Sequence, residues 1–481
     1  ALRQIFTRLT INVSGGFYIR FADPEVLRVL LANGVGDETG ITKEAIEKVT
    51  GIIGFRNNTA IKYFDELDKF TSILILGSSD LDSDSDYGAF SGCSGLISVQ
   101  LPKTIETIGS HAFRNCTLLV NIEIPQSVSS IGNRAFSGVP AAMTLNLPNY
   151  TGVLYRMAFD HSGLVGIENI GKCTELQSGI IYQNAHYGCF SYCLGLLFAN
   201  LPNTLVKIGD RAFAGCSSLS ELNYNWAVAK YIGTYAYYNC TSLSFDELNL
   251  SSLETLGQNA FYGVKIKKIV FGKIPALPDG GNDNNARQKI ANYGDKNVLE
   301  EVILPNTLSN IPKNGFYAYK ALRRIVIPEG VTTIGDTAFY ECSALAMDIS
   351  TLPKSIKVIG GSSFLKVPIK GELNLPNLET LYNGAFLQTN IEKVTSLGKI
   401  TETYAADGNT GVFGYCRSLK MIILPPTITA IRRAFLYNCP NIDTMIVEAV
   451  TPPSFDTTQN SVGKLIYVPD ESGTGWTEIA R

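Results

Sequence analysis

Residues 96–116 read LISVQLPKTIETIGSHAFRNC, and residues 322–342 read LRRIVIPEGVTTIGDTAFYEC. The stretches are far apart, yet the same residue types fall at the same places. Leu96, Val99, Leu101, Pro102, Ile105, Ile108, Gly109, Ala112, Phe113 and Cys116 match Leu322, Ile325, Ile327, Pro328, Val331, Ile334, Gly335, Ala338, Phe339 and Cys342. Near the end Leu419, Ile422, Leu424, Pro425, Ile428, Ile431, Ala434 and Phe435 repeat the pattern. Working outward on the Ala-Phe pair, Phe90, Phe113, Phe136 and Phe159 follow one another at steps of 23 residues. Further pairs end at Phe213, Phe261, Phe339, Phe386 and Phe435, and looser copies put Phe190, Tyr237, Phe316, Phe364 and Phe413 in the same slot. That makes about fourteen units between roughly residues 73 and 447, and a constant period of this length marks a solenoid.

Spacing within the unit predicts its local structure. In L-x-x-I-x-L the last two apolar positions alternate, which places them on one face of a short strand. The proline then ends the strand, because it has no N–H to give to the ladder. The second apolar pair and the I-G step predict an extended segment turning back, and Ala-Phe drives an aromatic plug into the coil. One unit cannot bury these residues alone, so neighbouring units must stack in register.

Composition narrows the function classes. The 481 residues carry a formal charge of -3, with 45% apolar and 17% charged residues. No dense basic run exists, so a nucleic-acid partner and a polybasic membrane anchor are not expected. No apolar stretch reaches the roughly 18–20 residues that cross a bilayer. Ala1 to Ile11 lack signal-peptide features, as a processed chain also would.

Eight of the ten cysteines share one slot just after the plug: Cys93, Cys116, Cys193, Cys216, Cys240, Cys342, Cys416 and Cys439. Val139, Ser162, Val264, Val367 and Thr389 hold that slot elsewhere. A tight interior position favours buried free thiols. A disulfide ladder is the competing reading, but in-register side chains point the same way and their Cβ atoms sit slightly too far apart. Cys189 and Cys193 have no second pair at zinc-ligand spacing.

The pattern L-x-x-I-x-L-P-x-x-I-x-x-I-G-x-x-A-F-x-x-C resembles the BspA-like (treponemal-type) leucine-rich repeat. This resemblance implies a leucine-rich-repeat solenoid of about 14 repeats, with parallel β-strands on one face, an irregular convex side and a small helical N-terminal cap. Val49 to Ile73 resembles the lead-in found in proteins of Bacteroides-type bacteria. Thr451, Pro452 and Pro453, followed by Leu465 to Pro469, resemble the closing unit. The expected organisation is a capping module over 1–72, the solenoid over 73–447 and a closing unit over 448–481. The resemblance also implies a secreted or surface-anchored bacterial protein, some of whose relatives are adhesins for host matrix proteins or other bacteria.

In the capping module Asp23-Pro24-Glu25-Val26 opens a helix with Leu27, Leu30 and Leu31 as its apolar face. A second helix is expected from Thr42 to Val49. In relatives this region is similar to a helix–loop–helix around a calcium loop. Here Val35 and Ala45 stand where ligands belong, while Asp37, Glu38 and Glu44 are out of register, so the module reads as one that has lost calcium.

Three stretches break the period: 171–188, 272–297 and 397–411. The second reads as one degenerate unit plus a polar loop. Asp80, Asp82, Asp84 and Asp86 offer four carboxylates in seven residues, a possible calcium loop that we read as a solvated acidic one. No nucleophile elbow, phosphate loop or H-E-x-x-H motif occurs. His111, His161 and His186 sit in different units, His111 at the edge of its coil.

No cofactor and no catalytic or metal residues are therefore assigned. What remains is a surface. Between the apolar anchors, Ser98, Gln100, Asn121, Glu123, Glu221, Asn223, Glu301, Ile303, Arg324, Val326, Met421 and Ile423 are expected to point outward. The early units present polar residues and the later ones aliphatic residues. This face suits an extracellular interaction or adhesion protein with a protein or glycan ligand. A passive surface spacer and a glycan-acting enzyme are the alternatives.

Overall fold

The structure, a computed structural model, describes residues 10–11, 17–85, 88–182, 185–278, 293–404, 411–451, 453–456, 466–469 and 476–479. Asp86, Pro452, Leu465, the side chain of His186 and parts of two insertions (279–292 and 405–410) lie outside the described residues. The chain is a parallel-strand solenoid of about fourteen turns. It divides into two compact units, Ala1–Ser244 with Ala260–Val264 and Phe245–Asn259 with Lys265–Arg481.

In the first unit most turns contribute two short strands, one from L-x-x-I-x-L and one from the I-x-x-I segment, and one turn has only a bridge at Asn121 in the first place. Thr144–Asn146, Gly166–Asn169, Phe198–Asn200 and Glu221–Asn223 pair in parallel as one sheet. Thr151–Leu154, Lys172–Leu176, Lys207–Ile208 and Tyr231–Ile232 form a second parallel ladder. The expected extended return segment is thus a ladder of its own. Between the ladders the plugs form a spine. Phe90 and Phe113 stack at 5.3 Å and 7°, Phe113 and Phe136 at 5.4 Å, and Phe136 and Phe159 at 5.1 Å. Phe190, Phe213, Tyr237 and Phe261 continue it at 5.1–5.6 Å.

Each plug sits in a tight turn whose flanks the sequence pattern does not mark. Residues two before or two after it hold the left-handed conformation at many turns. His111, Arg134, Met157 and Arg211 do so on one side, and Asn115, His161, Tyr192 and Asn239 on the other, with φ 52–59° among the non-glycine residues. Such backbone costs about 1–2 kcal/mol per residue. Inter-turn hydrogen bonds offset it: the plug N–H donates to the carbonyl just before the next plug, as in Phe90 N to Ala112 O at 2.8 Å and Phe113 N to Ala135 O at 2.8 Å.

The second unit repeats this plan. Strands Lys265–Phe271, Glu301–Ile303 and Arg324–Val326 are parallel and in register, with Ser244–Leu250 at the edge of the same sheet. Phe316, Phe339, Phe364, Phe386 and Phe413 stack at 5.2–5.5 Å. The last plug differs from the expectation. Phe413 N donates to the Phe435 carbonyl, and Ala434 and Asn438 carry the positive φ that brackets a plug. Leu436, fully buried, therefore occupies the slot. Phe435 packs edge-on to Phe413 at 80° instead of stacking. Cys439 fixes the register, because its thiol must reach the Phe413 carbonyl (3.0 Å).

The insertion at 272–297 contains a further plug. Tyr293 lies 23 residues before Phe316, is 1% exposed and packs 5.3 Å from the Phe316 ring. Ile274 and Leu277 before it are buried, so the described part is a turn of the solenoid. The stretch 171–188 carries an antiparallel hairpin, Ile180–Tyr182 with Ala185–Tyr187.

At the N-terminus the helix Pro24–Ala32 is capped by Asp23. The same buried carboxylate accepts N–H bonds from Lys62 (2.6 Å) and Tyr63 (3.1 Å), tying the helix to strand Tyr63–Phe64. The buried face is Val26, Val29 and Leu30, while Leu31 is exposed, one step round from the expected stripe. The second helix is Lys43–Glu47, capped by Thr42. In the loop between them the Asp37 carboxylate is taken up by Thr39. Strand Tyr63–Phe64 already pairs with Ser98–Val99, and the Phe55 ring lies 5.5 Å from Phe90, so stacking on the first repeat begins inside the capping segment.

Candidate binding face

The x positions of L-x-x-I-x-L do line up across neighbouring strands. In the first unit Gln100, Asn121, Glu123, Glu221 and Asn223 are exposed. Ser98 is not: it is fully buried, donates to Asp65 at 2.5 Å and accepts from Asn121 Nδ2 at 2.7 Å. The helical turn Asp65–Lys69 covers it, a long-range contact that spacing cannot foretell. Sequence reading also passed over an amide row. Asn146 pairs with Asn169, and Asn200 with Asn223, and Asn223 Nδ2 donates to Asn200 Oδ1 at 2.7 Å. Asn146, Asn200 and Asn223 share the x of I-x-L with Gln100 and Glu123, while Asn169 joins the row through a bulge after Ile167.

In the second unit the equivalent row is aliphatic. Val270, Ile303 and Val326 are in-register neighbours, with Ile303 38% and Val326 60% exposed. Beside them runs a charged row. Lys268 pairs with Glu301, and Glu301 with Arg324, across the strands. Lys268 Nζ is 3.0 Å from Glu247, and Arg324 Nη1 is 3.4 Å from Glu301. Met421 and Ile423 are half-buried on strand Met421–Leu424 of a different sheet. Of the twelve predicted residues six lie in each unit, and four of the second six share one sheet.

The sequence profile of the BspA type leucine rich repeat region (6 copies) matches residues 83–186, 182–277, 291–406 and 409–458. The chain belongs to that family. Solved structures similar to this BspA-type protein include three bacterial proteins. A leucine-rich repeat protein of Bacteroides ovatus is 19% identical, with 85% of each chain covered and a TM-score of 0.33. A leucine rich cell surface protein of Faecalibacterium prausnitzii is 21% identical, with 73% of each chain covered and a TM-score of 0.31. The pneumococcal vaccine antigen PcpA is 16% identical, with 73% of this chain and 84% of that one covered and a TM-score of 0.35. No curated protein matches the sequence.

In this BspA-type chain all ten cysteines are free and buried. The slot cysteines form a ladder of another kind, in which each thiol meets the carbonyl of the preceding plug. Cys116 Sγ lies 3.1 Å from Phe90 O, Cys216 3.0 Å from Phe190 O and Cys342 3.0 Å from Phe316 O. Burial pushes the Cys173 and Cys416 thiols up to about 11 and those of Cys93 and Cys342 to about 12. Thiolate is the reactive form, so the native protein should resist iodoacetamide at pH 8 and take up ten labels after unfolding. Mass spectrometry checks this; rapid native labelling of the slot cysteines would contradict it.

The acidic stretch is docked rather than solvated. Asp82 meets Arg156 at 2.6 Å and Gln177 Nε2 at 3.1 Å. Asp84 meets Arg156 at 3.0 Å and Arg134 at 3.3 Å. Asn133 N donates to Leu81 O and Ser110 Oγ to Asp80 O. His111, expected at an edge, is fully buried, with Nδ1 3.1 Å from Ser85 O. The stretch is a clasp across successive turns, and its two central carboxylates are taken by arginines. Burial works to raise the Asp84 carboxyl, but the Arg156 hydrogen bond and charge, with Arg134 and Asn133, outweigh it and hold it below its usual value. A depressed folded pKa contributes stability above the unfolded value that is lost as pH falls through the folded one. The clasp should therefore loosen below about pH 4 and in high salt. Arg156→Ala should increase limited proteolysis near residues 80–85 at neutral pH, and unchanged cleavage would refute the clasp.

Proposed function

We propose that this chain is an extracellular bacterial protein that binds a protein or glycan ligand through the outward face of its strand sheet, rather than a catalyst. The family supports the interaction role. The carrying observation is the exposed Ile303–Val326 row set beside paired charges. Aliphatic side chains on an open sheet face gain roughly 25 cal/mol per Å² when a partner covers them, while charges at the rim select which partner fits. Stacked turns offer such rows at a spacing of about 4.8 Å, a wide recognition surface without an enclosed pocket.

The test is binding of the purified chain to arrays of host matrix proteins and bacterial surface glycans. A hit should weaken about tenfold or more in Ile303→Asp/Val326→Asp, with the circular dichroism spectrum unchanged. Equal binding by the variant would remove this face from the function. Absence of any hit on either array would overturn the recognition role in favour of a passive spacer.

A further inference from the structure

The four-stranded sheet of the second unit carries a charge pattern with a specific symmetry. In the order Ser244–Leu250, Lys265–Phe271, Glu301–Ile303, Arg324–Val326, its outward row reads Glu247, Lys268, Glu301, Arg324: minus, plus, minus, plus. Two positions on along the strands, the next outward row reads Val270, Ile303, Val326, and the alternation of exposed Glu247 and Asn249 with buried Leu248 and Leu250 carries it on to Asn249. The row of four alternates sign and is even in length. Reversing its order therefore exchanges every sign.

We propose that this sheet face docks onto the same face of a second copy of the chain. The inference rests on reading the strand face as a binding face, and it names a partner for it. A two-fold axis parallel to the strands, between Lys265–Phe271 and Glu301–Ile303, reverses strand order but keeps each row opposite itself. Arg324 then faces Glu247 of the second copy, and Lys268 faces its Glu301. Each contact occurs twice, as an isologous interface requires. In the adjoining row Ile303 faces Val270, and Val326 faces Asn249. A row of uniform sign would repel itself under the same operation. Within the chain the same alternation sets opposite charges on neighbouring strands, Lys268 lying beside both Glu247 and Glu301; between copies what counts is that the row changes sign when its order is reversed. Four short strands offer less than the roughly 800 Å² per partner of a standard interface. The association is accordingly weak between free molecules and gains strength where many copies are displayed side by side.

The experiment is sedimentation velocity of the chain alone over about a hundredfold range of concentration, in low and high salt. The expected result is a sedimentation coefficient that rises with concentration and less so in high salt. Arg324→Glu places like charges opposite each other twice and should weaken association at least about tenfold. The double variant Glu247→Arg/Arg324→Glu breaks both in-chain ion pairs but restores opposite charges between copies, so it should recover association to within about threefold of the parent. Thermal melts of both variants confirm folding, and their substitutions lie at exposed positions. A chain that stays monomeric throughout, a single variant that associates like the parent, or a double variant that fails to recover would each overturn the proposal. No ligand is present, so a negative result here leaves array binding to be judged on its own.

Discussion

Phe113→Ala is expected to destabilise the first unit by about 3–5 kcal/mol, the range for removing a buried phenylalanine ring. The ring is fully buried and stacked on both faces, 5.3 Å from Phe90 and 5.4 Å from Phe136. Truncation loses apolar burial, two aromatic contacts and the close packing of two inter-turn junctions at once. Both turns beside it are hydrogen-bonded through the same segment, Phe90 N to Ala112 O and Phe113 N to Ala135 O. Stability in a stacked array is a sum of turns and nearest-neighbour junctions, so the damage should be local. Hydrogen exchange should accelerate over roughly residues 88–139 and stay unchanged in the second unit. A urea midpoint within error of the parent, or uniform acceleration over the whole chain, would refute the spine as the main stabilising element.

Gly209→Val is expected to cost about 3 kcal/mol, the upper part of the range for overpacking. Here glycine is required by proximity, not by a left-handed backbone. A Cβ at this position would lie 2.4 Å from Leu176 O and 2.5 Å from Ser178 N, both backbone atoms of the preceding turn. Gly209 N also donates to that Leu176 carbonyl at 2.8 Å. A side chain must therefore push two turns apart and stretch the ladder. Gly335 is in the same position, with Lys313 N 2.5 Å from its virtual Cβ. Other turns hold Tyr155, Tyr382 and Arg432 in this slot, so the requirement belongs to particular junctions. A thermal melt of Gly209→Val that overlays the parent would show that the junction can relax.

The periodic residues were legible because their role is local and repeated. Phe113, Cys116 and Gly109 each answer to one neighbour above and one below, and identical neighbours recur every turn. Departures from the pattern were harder. Ala434-Phe435 looks like another plug, yet Leu436 takes the slot because Cys439 and the inter-turn hydrogen bonds hold the register while the dipeptide has slipped by one. Tyr293 was hidden by the irregular spacing around it, though its distance to Phe316 is regular. Of the predicted face, Ser98 was lost to a cover supplied from Asp65. The amide row through Asn146 and Asn200 was missed for want of carrying the alignment to each turn.

Chain order alone dictated the parallel solenoid, its aromatic spine and its reduced interior thiols, because a 23-residue repeat of apolar spacing has one economical way to bury itself: on its own copies. Three-dimensional packing settled everything that depends on residues unrelated by the period. The clasp joining Asp82 to Arg156 spans 74 positions, and no repeat rule links an acidic loop to an arginine three turns on. The cover over Ser98 is of the same kind, since Asp65 holds no matching place in the repeat and meets it only through packing.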